Sequence, residues 1–140
     1  MDDSYRLVPG VPSIEDYRRL RAISGLTPRS AKAAAQGLPN TIHGVHVQRD
    51  GQAVGMGRII GDGALVFQIV DVAVDPAHQG RGLGKAIMAA LVAHLRTHVP
   101  AEAYVSLIAD GEAHRLYAQF GFEPVAPASI GMARWMRRPA

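Results

Sequence analysis

The spacing of apolar residues in the middle of the chain predicts a buried strand followed by a helix. Residues 69–74 are apolar except for Asp71, which is typical of a strand covered on both faces. The strand ends before Pro76, because proline has no backbone N–H to donate and disfavours helix in the residue before it. From residue 82 to residue 98, apolar side chains recur at helical spacing, which predicts an amphipathic helix that packs on a sheet.

The rest of the chain also alternates between the period of a strand and the period of a helix. Asp-Gly dipeptides at 50–51 and 62–63 indicate tight turns between three successive strands. A helix then crosses to the next strand, which makes that strand parallel to the central one. The predicted order is strand, two helices, three strands, helix, strand, helix and one or two final strands, over residues 5–8, 14–24, 29–36, 41–49, 52–60, 64–74, 82–98, 103–109, 112–120 and 125–136. At 140 residues, we expect a single domain, residues 1–140.

Composition and charge exclude several kinds of chemistry. The chain has no Cys, so disulfides and thiolate catalysis are excluded, and its six His lack paired spacing, so we expect no metal. The net charge of +3 comes from dispersed basic residues without the stripe and interleaved aromatics of a nucleic-acid surface, so we expect no nucleic acid. No stretch reaches the roughly 18 unbroken apolar residues of a membrane span, and the acidic start lacks an apolar core. We therefore expect a soluble, cytoplasmic protein with no membrane partner.

The segment between the central strand and its helix carries the strongest chemical signal. The glycine loop, QGRGLG at 79–84, leads straight into the helix, whose first N–H groups have no partner within the helix and therefore form a seat for an anion. Arg81 and Lys85 add positive charge to this helix end. A Walker loop is excluded because Gln79 replaces its first Gly and Ala86 its Ser or Thr. A dinucleotide fingerprint is excluded because it needs Gly at 85 or 87.

Two segments resemble the GCN5-related N-acetyltransferase (GNAT) family. Gln79, Gly82 and Gly84 match its Gln/Arg-x-x-Gly-x-Gly/Ala loop, and residues 116–122, LYAQFGF, match its Leu-Tyr-x-x-x-Gly-Phe segment. The resemblance covers roughly residues 52–122 by motif and the remainder only by the order of elements. It implies a GNAT-like α/β fold: a mixed, mostly antiparallel sheet of six or seven strands that is splayed at two central parallel strands, with helices on both faces.

The resemblance also implies acetyl-CoA as co-substrate and assigns residues to it. The strand end would bind the pantetheine and thioester, and the loop the pyrophosphate, through Val72, Ala73, Val74, Gln79, Gly80, Arg81, Gly82, Leu83, Gly84 and Lys85. Tyr117 would donate a proton to the departing CoA thiolate, because a phenol with a pKa near 10 is protonated at neutral pH; packing on its helix face is the alternative role. Asp110 stands where many relatives have Asn, and since Asp accepts but does not donate, its contact with the cofactor is open.

For the amine substrate, the candidates are the two polar residues of the central strand, Gln68 and Asp71. A buried Asp without a partner is costly, which favours Asp71 as a group that holds a cation and takes part in catalysis. The alternative is a structural Asp71 paired with Arg58 or with a backbone N–H. Because neighbouring strand residues alternate between faces, we expect Gln68 and Asp71 to point opposite ways.

The function that this resemblance implies is acetyl transfer to a primary amine by direct attack, without a covalent intermediate, since there is no Cys to carry one. We expect a small-molecule amine, because the first two helices and their connection are long enough to roof the site. The alternatives are a CoA-binding sensor or interaction module without turnover, and a protein acetyltransferase that acts on an N-terminus or Lys. A homodimer through the final strands is compatible with the sequence.

Overall fold

The computed structural model describes residues 1–137, which cluster into two compact units. The first unit is Met1–Leu107, and the second begins at Ile108. The first contains the sheet and the three longest helices, and the second contains one short helix. That residues 1–140 act as a single N-acetyltransferase domain stays a prediction.

The elements of both units follow the predicted order up to the last helix. The strands are β1 (Arg6–Pro9), β2 (His43–Arg49), β3 (Gln52–Gly61), β4 (Val66–Val74) and β5 (Tyr104–Leu107). The α-helices are α1 (Ile14–Ile23), α2 (Ala31–Gly37), α3 (Leu83–His98) and, in the second unit, α4 (His114–Ala118). Short 3₁₀ turns lie at Leu38–Asn40 and Pro76–His78. Within residues 1–137, no helix has both the length and the apolar character that crossing a bilayer requires.

The sheet is mixed and mostly antiparallel, as predicted. Its strand order is β1-β2-β3-β4-β5, in which every neighbouring pair is antiparallel except β4 and β5. The parallel pair joins residues 66–69 of β4 to Tyr104–Leu107. This pairing follows from the crossover through α3, which returns the chain to run in the same direction beside β4.

The number of strands and the position of the parallel pair correct the prediction. The sheet of the described residues has five strands rather than six or seven, and β5 is its edge strand, so the parallel pair is not central. No strand is present between residue 108 and residue 137. The predicted final strands fall on a segment broken by Pro127 and Gly131, and proline removes a donor that a sheet ladder needs. Large apolar side chains of this segment are exposed, including Ile130 and Met132.

Helices cover both faces of the sheet, as predicted. Met56 of β3 belongs to a buried cluster with Tyr17 and Leu20 of α1. Its neighbour Gly57 faces the other way, because a Cβ placed on it would meet Ile87 of α3 at 2.7 Å. Since successive strand residues point to opposite faces, α1 and α3 lie on opposite sides of β3.

Serine side chains fix the starts of both N-terminal helices. Ser13 Oγ accepts from Asp16 N at 3.1 Å and caps α1, and Ser30 Oγ accepts from Ala33 N at 3.0 Å and caps α2. The second helix therefore begins at Ala31, two residues later than predicted. Together, α1, α2 and the turn between them form one wall beside β3 and β4.

Three histidines stack on one another near the end of α3. The rings of His43 and His94 lie 3.9 Å apart and nearly parallel, and those of His94 and His98 lie 4.3 Å apart. Burial lowers the pKa of His43 and of His94, and the positive charge of neighbouring histidines lowers both further. The sequence separates His43 from the other two by more than a third of the chain, so the stack was not predicted.

Candidate active site

A β-bulge interrupts β4 beside the middle of β3. Arg58 pairs with Val70 and Met56 with Ala73, so Gly57 lies opposite both Asp71 and Val72. Asp71 has a φ of 58°, in the left-handed region that few residues other than Gly adopt. One extra residue in a strand bends it and redirects side chains, and such bulges are frequent next to active sites.

The bulge places Gln68 and Asp71 on the same face of the sheet, so the prediction that they point opposite ways is wrong. Gln68 pairs with Ile60, which shares a face with Arg58 two residues away. Asp71 is hydrogen-bonded to the Arg58 side chain and therefore lies on that face as well. The physical reason is the extra residue, which breaks the strict alternation between positions 68 and 71.

The carboxylate of Asp71 is held by three donors, and we call these four residues the Asp71 cluster. Arg21 Nη1 donates to Oδ1 at 2.5 Å, Arg58 Nε donates to Oδ2 at 2.7 Å, and the Tyr17 hydroxyl donates to Oδ2 at 3.0 Å. Of the two roles that the sequence left open, the pairing with Arg58 is present. The role of Asp71 as a direct partner of a cationic amine stays a prediction, and these contacts weigh against it.

The charged side chains of the Asp71 cluster are buried, and this burial affects the protonation of Tyr17. The side chains of Arg21 and Asp71 are 8% and 7% exposed. Burial raises the pKa of Tyr17, and the charge of Asp71 and the hydrogen bond to it raise the pKa further. The Tyr17 phenol is therefore protonated at neutral pH and stays a donor. Two guanidinium groups face one carboxylate, which leaves an excess of positive charge.

Tyr17 and Arg21 are members of this cluster that the sequence did not predict. Arg21 lies in the basic run of residues 18–21, whose composition is typical of a solvated helix face. The signal that could have found it is its spacing, because residues four apart in a helix lie on one face, and Tyr17 lies four residues before Arg21.

One edge of β4 is open along the second half of the strand. β5 pairs with β4 only at residues 66–69, whereas β3 continues to pair with it up to Val74. We call residues 70–74 on the side away from β3 the β4 edge; among the residues that the structure describes, no strand pairs with it. Backbone groups of Val72, Ala73 and Val74 lie in this stretch. A ligand with amide groups could extend along such an edge as a further strand does.

The glycine loop follows the β4 edge after Asp75 and the 3₁₀ turn Pro76–His78. Gly80 and Gly82 each have a φ of 78°, a conformation that glycine adopts without steric cost. Gly82 is the N-cap of α3 and supplies no side chain to cap it, so the first N–H groups of this 16-residue helix have no capping side chain. Gln79 Nε2 donates to Val74 O at 3.3 Å and ties the loop to the strand end.

Side chains of the loop divide into exposed and buried groups. Arg81 and Lys85 are exposed, so their charges are accessible beside the N-terminus of α3. Leu83 is only 2% exposed, so it anchors the helix in the core and offers a ligand its backbone alone. Gly84 lies within the first turn. The uncapped helix end and two accessible cations together favour an anionic group.

The second unit contains the other two predicted site residues. Tyr117 lies in α4 and is buried. Burial raises the pKa of Tyr117, and the negative charge of Asp110 raises it further, so the phenol carries its proton at neutral pH. Gly121, with a φ of 88°, follows the helix. The proton-donor role of Tyr117 and the cofactor contact of Asp110 stay predictions.

A cavity of about 200 Å³ lies in the first unit between the N-terminal helices and β3; we call it the α2 cavity. Its lining residues are Tyr17, Arg29, Ala33, Ala34, Gly37, Leu38 and Arg58. It shares Tyr17 and Arg58 with the Asp71 cluster and is therefore next to the bulge. Within the part of the chain that the structure describes, no group of His, Asp or Glu is arranged to hold a metal ion.

An open strand edge that leads into an anion-binding helix start suits an extended ligand with amide groups and phosphates, as an acyl-CoA transferase requires. The profile of the Acetyltransferase (GNAT) family matches residues 13–122, and the chain belongs to this family. Members of this family transfer the acetyl group of acetyl-CoA to amines.

Solved structures with the same fold come from several bacteria. SA2161 from meticillin-resistant Staphylococcus aureus, a protein of unknown function described as a probable acetyltransferase, is 41% identical, has a TM-score of 0.89, and is matched over 94% of this chain and 98% of that one. The GNAT family protein SP0256 from Streptococcus pneumoniae has a TM-score of 0.77 at 22% identity, over 96% of this chain and 99% of that one. At this identity, the second likeness shows the fold alone.

Two plant proteins are also similar in sequence. Histone acetyltransferase TAP1 from Glycine max is 37% identical over 91 residues, which are 64% of this chain and 38% of that protein. GCN5-related N-acetyltransferase 2, chloroplastic, from Arabidopsis thaliana is 40% identical over 85 residues, which are 61% of this chain and 32% of that protein. The matched regions thus span about a third of the length of these curated relatives.

Proposed function

We propose that this protein transfers the acetyl group of acetyl-CoA to a primary amine of a small molecule by direct attack. The observation that carries the proposal is the continuity between the β4 edge and the glycine loop. The strand offers backbone groups to a pantetheine arm, and the uncapped N-terminus of α3 offers N–H groups to a pyrophosphate. The two surfaces follow each other along the chain in the order that these parts of the ligand would need.

The residues of the loop would hold the phosphates. N–H groups at the start of α3 donate to the pyrophosphate, and Arg81 and Lys85 offset its charge. Gly80 and Gly82 let the backbone approach closely, because they have no side chain. Asp110 is a further proposed contact of the cofactor.

Backbone groups at Val72, Ala73 and Val74 would position the reacting end. An N–H of the β4 edge polarises the thioester carbonyl and stabilises the negative charge that develops on its oxygen. The bound cofactor supplies the activated acetyl group, and the neutral amine forms a C–N bond with it while the C–S bond breaks. Tyr117 gives its proton to the departing thiolate and regains one from solvent, and the amine releases its own proton.

The residues near the amine would orient the substrate rather than react with it. In this proposal, Asp71 orients Arg58 and Tyr17 and holds the bulge, while Gln68, which lies on the same face, is the polar group free to contact the substrate. The α2 cavity supports a small molecule, because residues of α1, α2 and their connection line it. The cytoplasmic location stays a prediction, as does any homodimer.

Protein acetylation and cofactor sensing are the competing functions. The name of one relative, histone acetyltransferase TAP1, favours protein acetylation, but the matched region covers only 38% of that relative. Release of CoA thiol with a panel of small amines, peptides and no acceptor separates the three. Turnover with peptides alone would favour a protein acetyltransferase, and binding without turnover would favour a sensor.

Cofactor binding at the glycine loop is tested by calorimetry with acetyl-CoA. Lys85→Gln removes a charge beside the N-terminus of α3, and we expect it to weaken binding about fivefold to tenfold. Arg96→Gln is the matched control, since Arg96 is an exposed cation in the last turn of the same helix. Equal effects of both variants, or no binding by the unmodified protein, would contradict the proposal.

A further inference from the structure

We propose that the amine substrate carries an anionic group, a carboxylate or a phosphate, and that Arg58 binds this group in the α2 cavity. The inference rests on the proposed acetyl transfer and narrows its substrate class. It depends on the lining of the cavity, on the unused donor of Arg58 and on the charge of the Asp71 cluster.

The lining of the α2 cavity favours an anion over a cation. Two of its residues, Arg29 and Arg58, are arginines, and none of its described lining residues is Asp or Glu. The other members are small or apolar apart from the Tyr17 hydroxyl, which is occupied by Asp71. A polyamine would bring further positive charge to Arg58, whereas an anionic substituent would be attracted.

Arg58 is oriented to bind a further acceptor. Its Nε donates to Asp71 at 2.7 Å, and its Nη1 donates to Thr41 Oγ1 at 3.0 Å. A guanidinium has five N–H groups in a fixed plane. Among residues 1–137, Nη2 has no hydrogen-bond partner. Two of the three nitrogens thus fix the plane, and the third is available to a carboxylate or phosphate oxygen.

The charge of the Asp71 cluster also calls for an anion. Arg21 and Arg58 together carry two positive charges against the one negative charge of Asp71. The Arg58 side chain is only 16% exposed, so the excess charge is poorly solvated. Burying a charge is costly unless an opposite charge accompanies it, and the anionic group of a substrate would supply that charge.

The position of the cavity connects this group to the chemistry. Arg58 and Tyr17 line the cavity and also bind Asp71, a residue of the bulge within the β4 edge. A small molecule anchored at Arg58 by its anionic group can therefore direct its amine toward the bulge. A cavity of about 200 Å³ has room for a metabolite of amino-acid size.

The inference is tested with pairs of amines that differ only in charge. Glycine, alanine, leucine and methionine are each compared with their amides, and phosphoethanolamine is compared with ethanolamine, by CoA thiol release. We expect kcat/KM to be about tenfold or more higher for the anionic member of at least one pair, the value of one charge-assisted hydrogen bond. The carboxylate and phosphate arms identify which anion is used. The amine of an amino-acid amide has a lower pKa than the amine of the amino acid itself, so more of it is neutral and reactive at a given pH. This difference favours the amide and therefore works against the expected preference for the anionic member.

Arg58→Gln should abolish the preference. Asp71 and Arg21 then form a balanced pair, so we expect the variant to fold, and its acetyl-CoA affinity should be unchanged by calorimetry. Arg96→Gln, which removes an exposed cation elsewhere, should keep the preference. A preference that survives Arg58→Gln would overturn the inference.

A measurement on the unmodified protein does not depend on the variant's folding. 4-Methylpentanoate, which is leucine without its amine, should inhibit acetylation competitively with the amine, and 4-methylpentanamide should inhibit much less. Equal inhibition, or faster turnover of the uncharged member of every pair, would overturn the inference while leaving acetyl transfer intact. Absence of acetyl-CoA binding, or of thiol release with every amine, would instead refute the proposed function and the inference with it.

Discussion

Replacing Asp71 with Asn tests whether the carboxylate holds the bulge and the two arginines. Asn adopts positive φ readily, so the φ of 58° is not an obstacle, and the change removes mainly the charge. Arg21 and Arg58 would then be buried without a counterion, and an amide N–H would face at least one of the three donors. Removing one partner of a buried ion pair costs about 3–5 kcal/mol.

We expect a loss near the lower end of that range, about 3 kcal/mol, because Asn retains one oxygen as an acceptor. For a chain of this size, the loss corresponds to a fall in Tm of about 10 °C. Urea unfolding followed by circular dichroism measures the free energy directly. Asp50→Asn is the matched control, since Asp50 has a φ of 52° but its side chain is 96% exposed.

The control should change the stability by less than about 0.5 kcal/mol, as exposed substitutions usually do. If Asp71→Asn were as stable as Asp50→Asn, the carboxylate would not be what holds the cluster. Its three contacts would then have no energetic role, and Asp71 would become available again as a partner for a cationic amine.

Three further perturbations test other parts of the structure. Tyr117→Phe should lower the single-turnover rate by about 10²- to 10⁴-fold with unchanged acetyl-CoA affinity, while Tyr104→Phe, at an exposed tyrosine, should leave both unchanged; an unaltered rate would remove Tyr117 from the mechanism. Gly57→Ala places a Cβ 2.7 Å from Ile87, and we expect urea unfolding to show a free energy of unfolding that is lower by about 1–3 kcal/mol. An unchanged free energy would show that α3 moves away freely. Because the folded-state pKa values of His43 and His94 lie below the unfolded value of about 6.5, stability should fall as pH drops below that value. His94→Gln should reduce this pH dependence, and an unchanged pH profile would contradict the role of the stack.

The order of elements and the glycine loop were predictable because they depend on local chemistry. Proline and glycine end strands and start helices wherever they occur, and the helical spacing from residue 82 reports its buried face without knowledge of its partners. The loop was recognised for the same reason, since its residues are contiguous and glycine permits the positive φ that Gly80 and Gly82 adopt.

Of the Asp71 cluster, only the pairing with Arg58 was anticipated from the sequence, because Tyr17 and Arg21 lie 54 and 50 residues before Asp71 in α1. A strand pattern assumes an unbroken period of two, and nothing in residues 68–74 indicates the extra residue that puts Gln68 and Asp71 on one face. The basic run around Arg21 has the composition of a solvated face, although its spacing of four residues from Tyr17 places Arg21 on the buried face of α1.

The number of strands was overestimated for a related reason. Apolar residues near the C-terminus alternate enough to suggest strands, but a strand also needs a partner and an unbroken run of donors. Pro127 and Gly131 divide the segment, and the large apolar side chains around them are exposed. Hydrophobic pattern alone cannot show whether a pairing edge is available.

Acetyl transfer itself is tested most directly by mass spectrometry of amines incubated with the protein and acetyl-CoA whose acetyl group is labelled with carbon-13. We expect an amine that gains one labelled acetyl group in step with the release of CoA, and the anionic members of the panel should react fastest. CoA released without any labelled amine, or no consumption of acetyl-CoA with any acceptor, would contradict the assignment of this chain as an amine acetyltransferase.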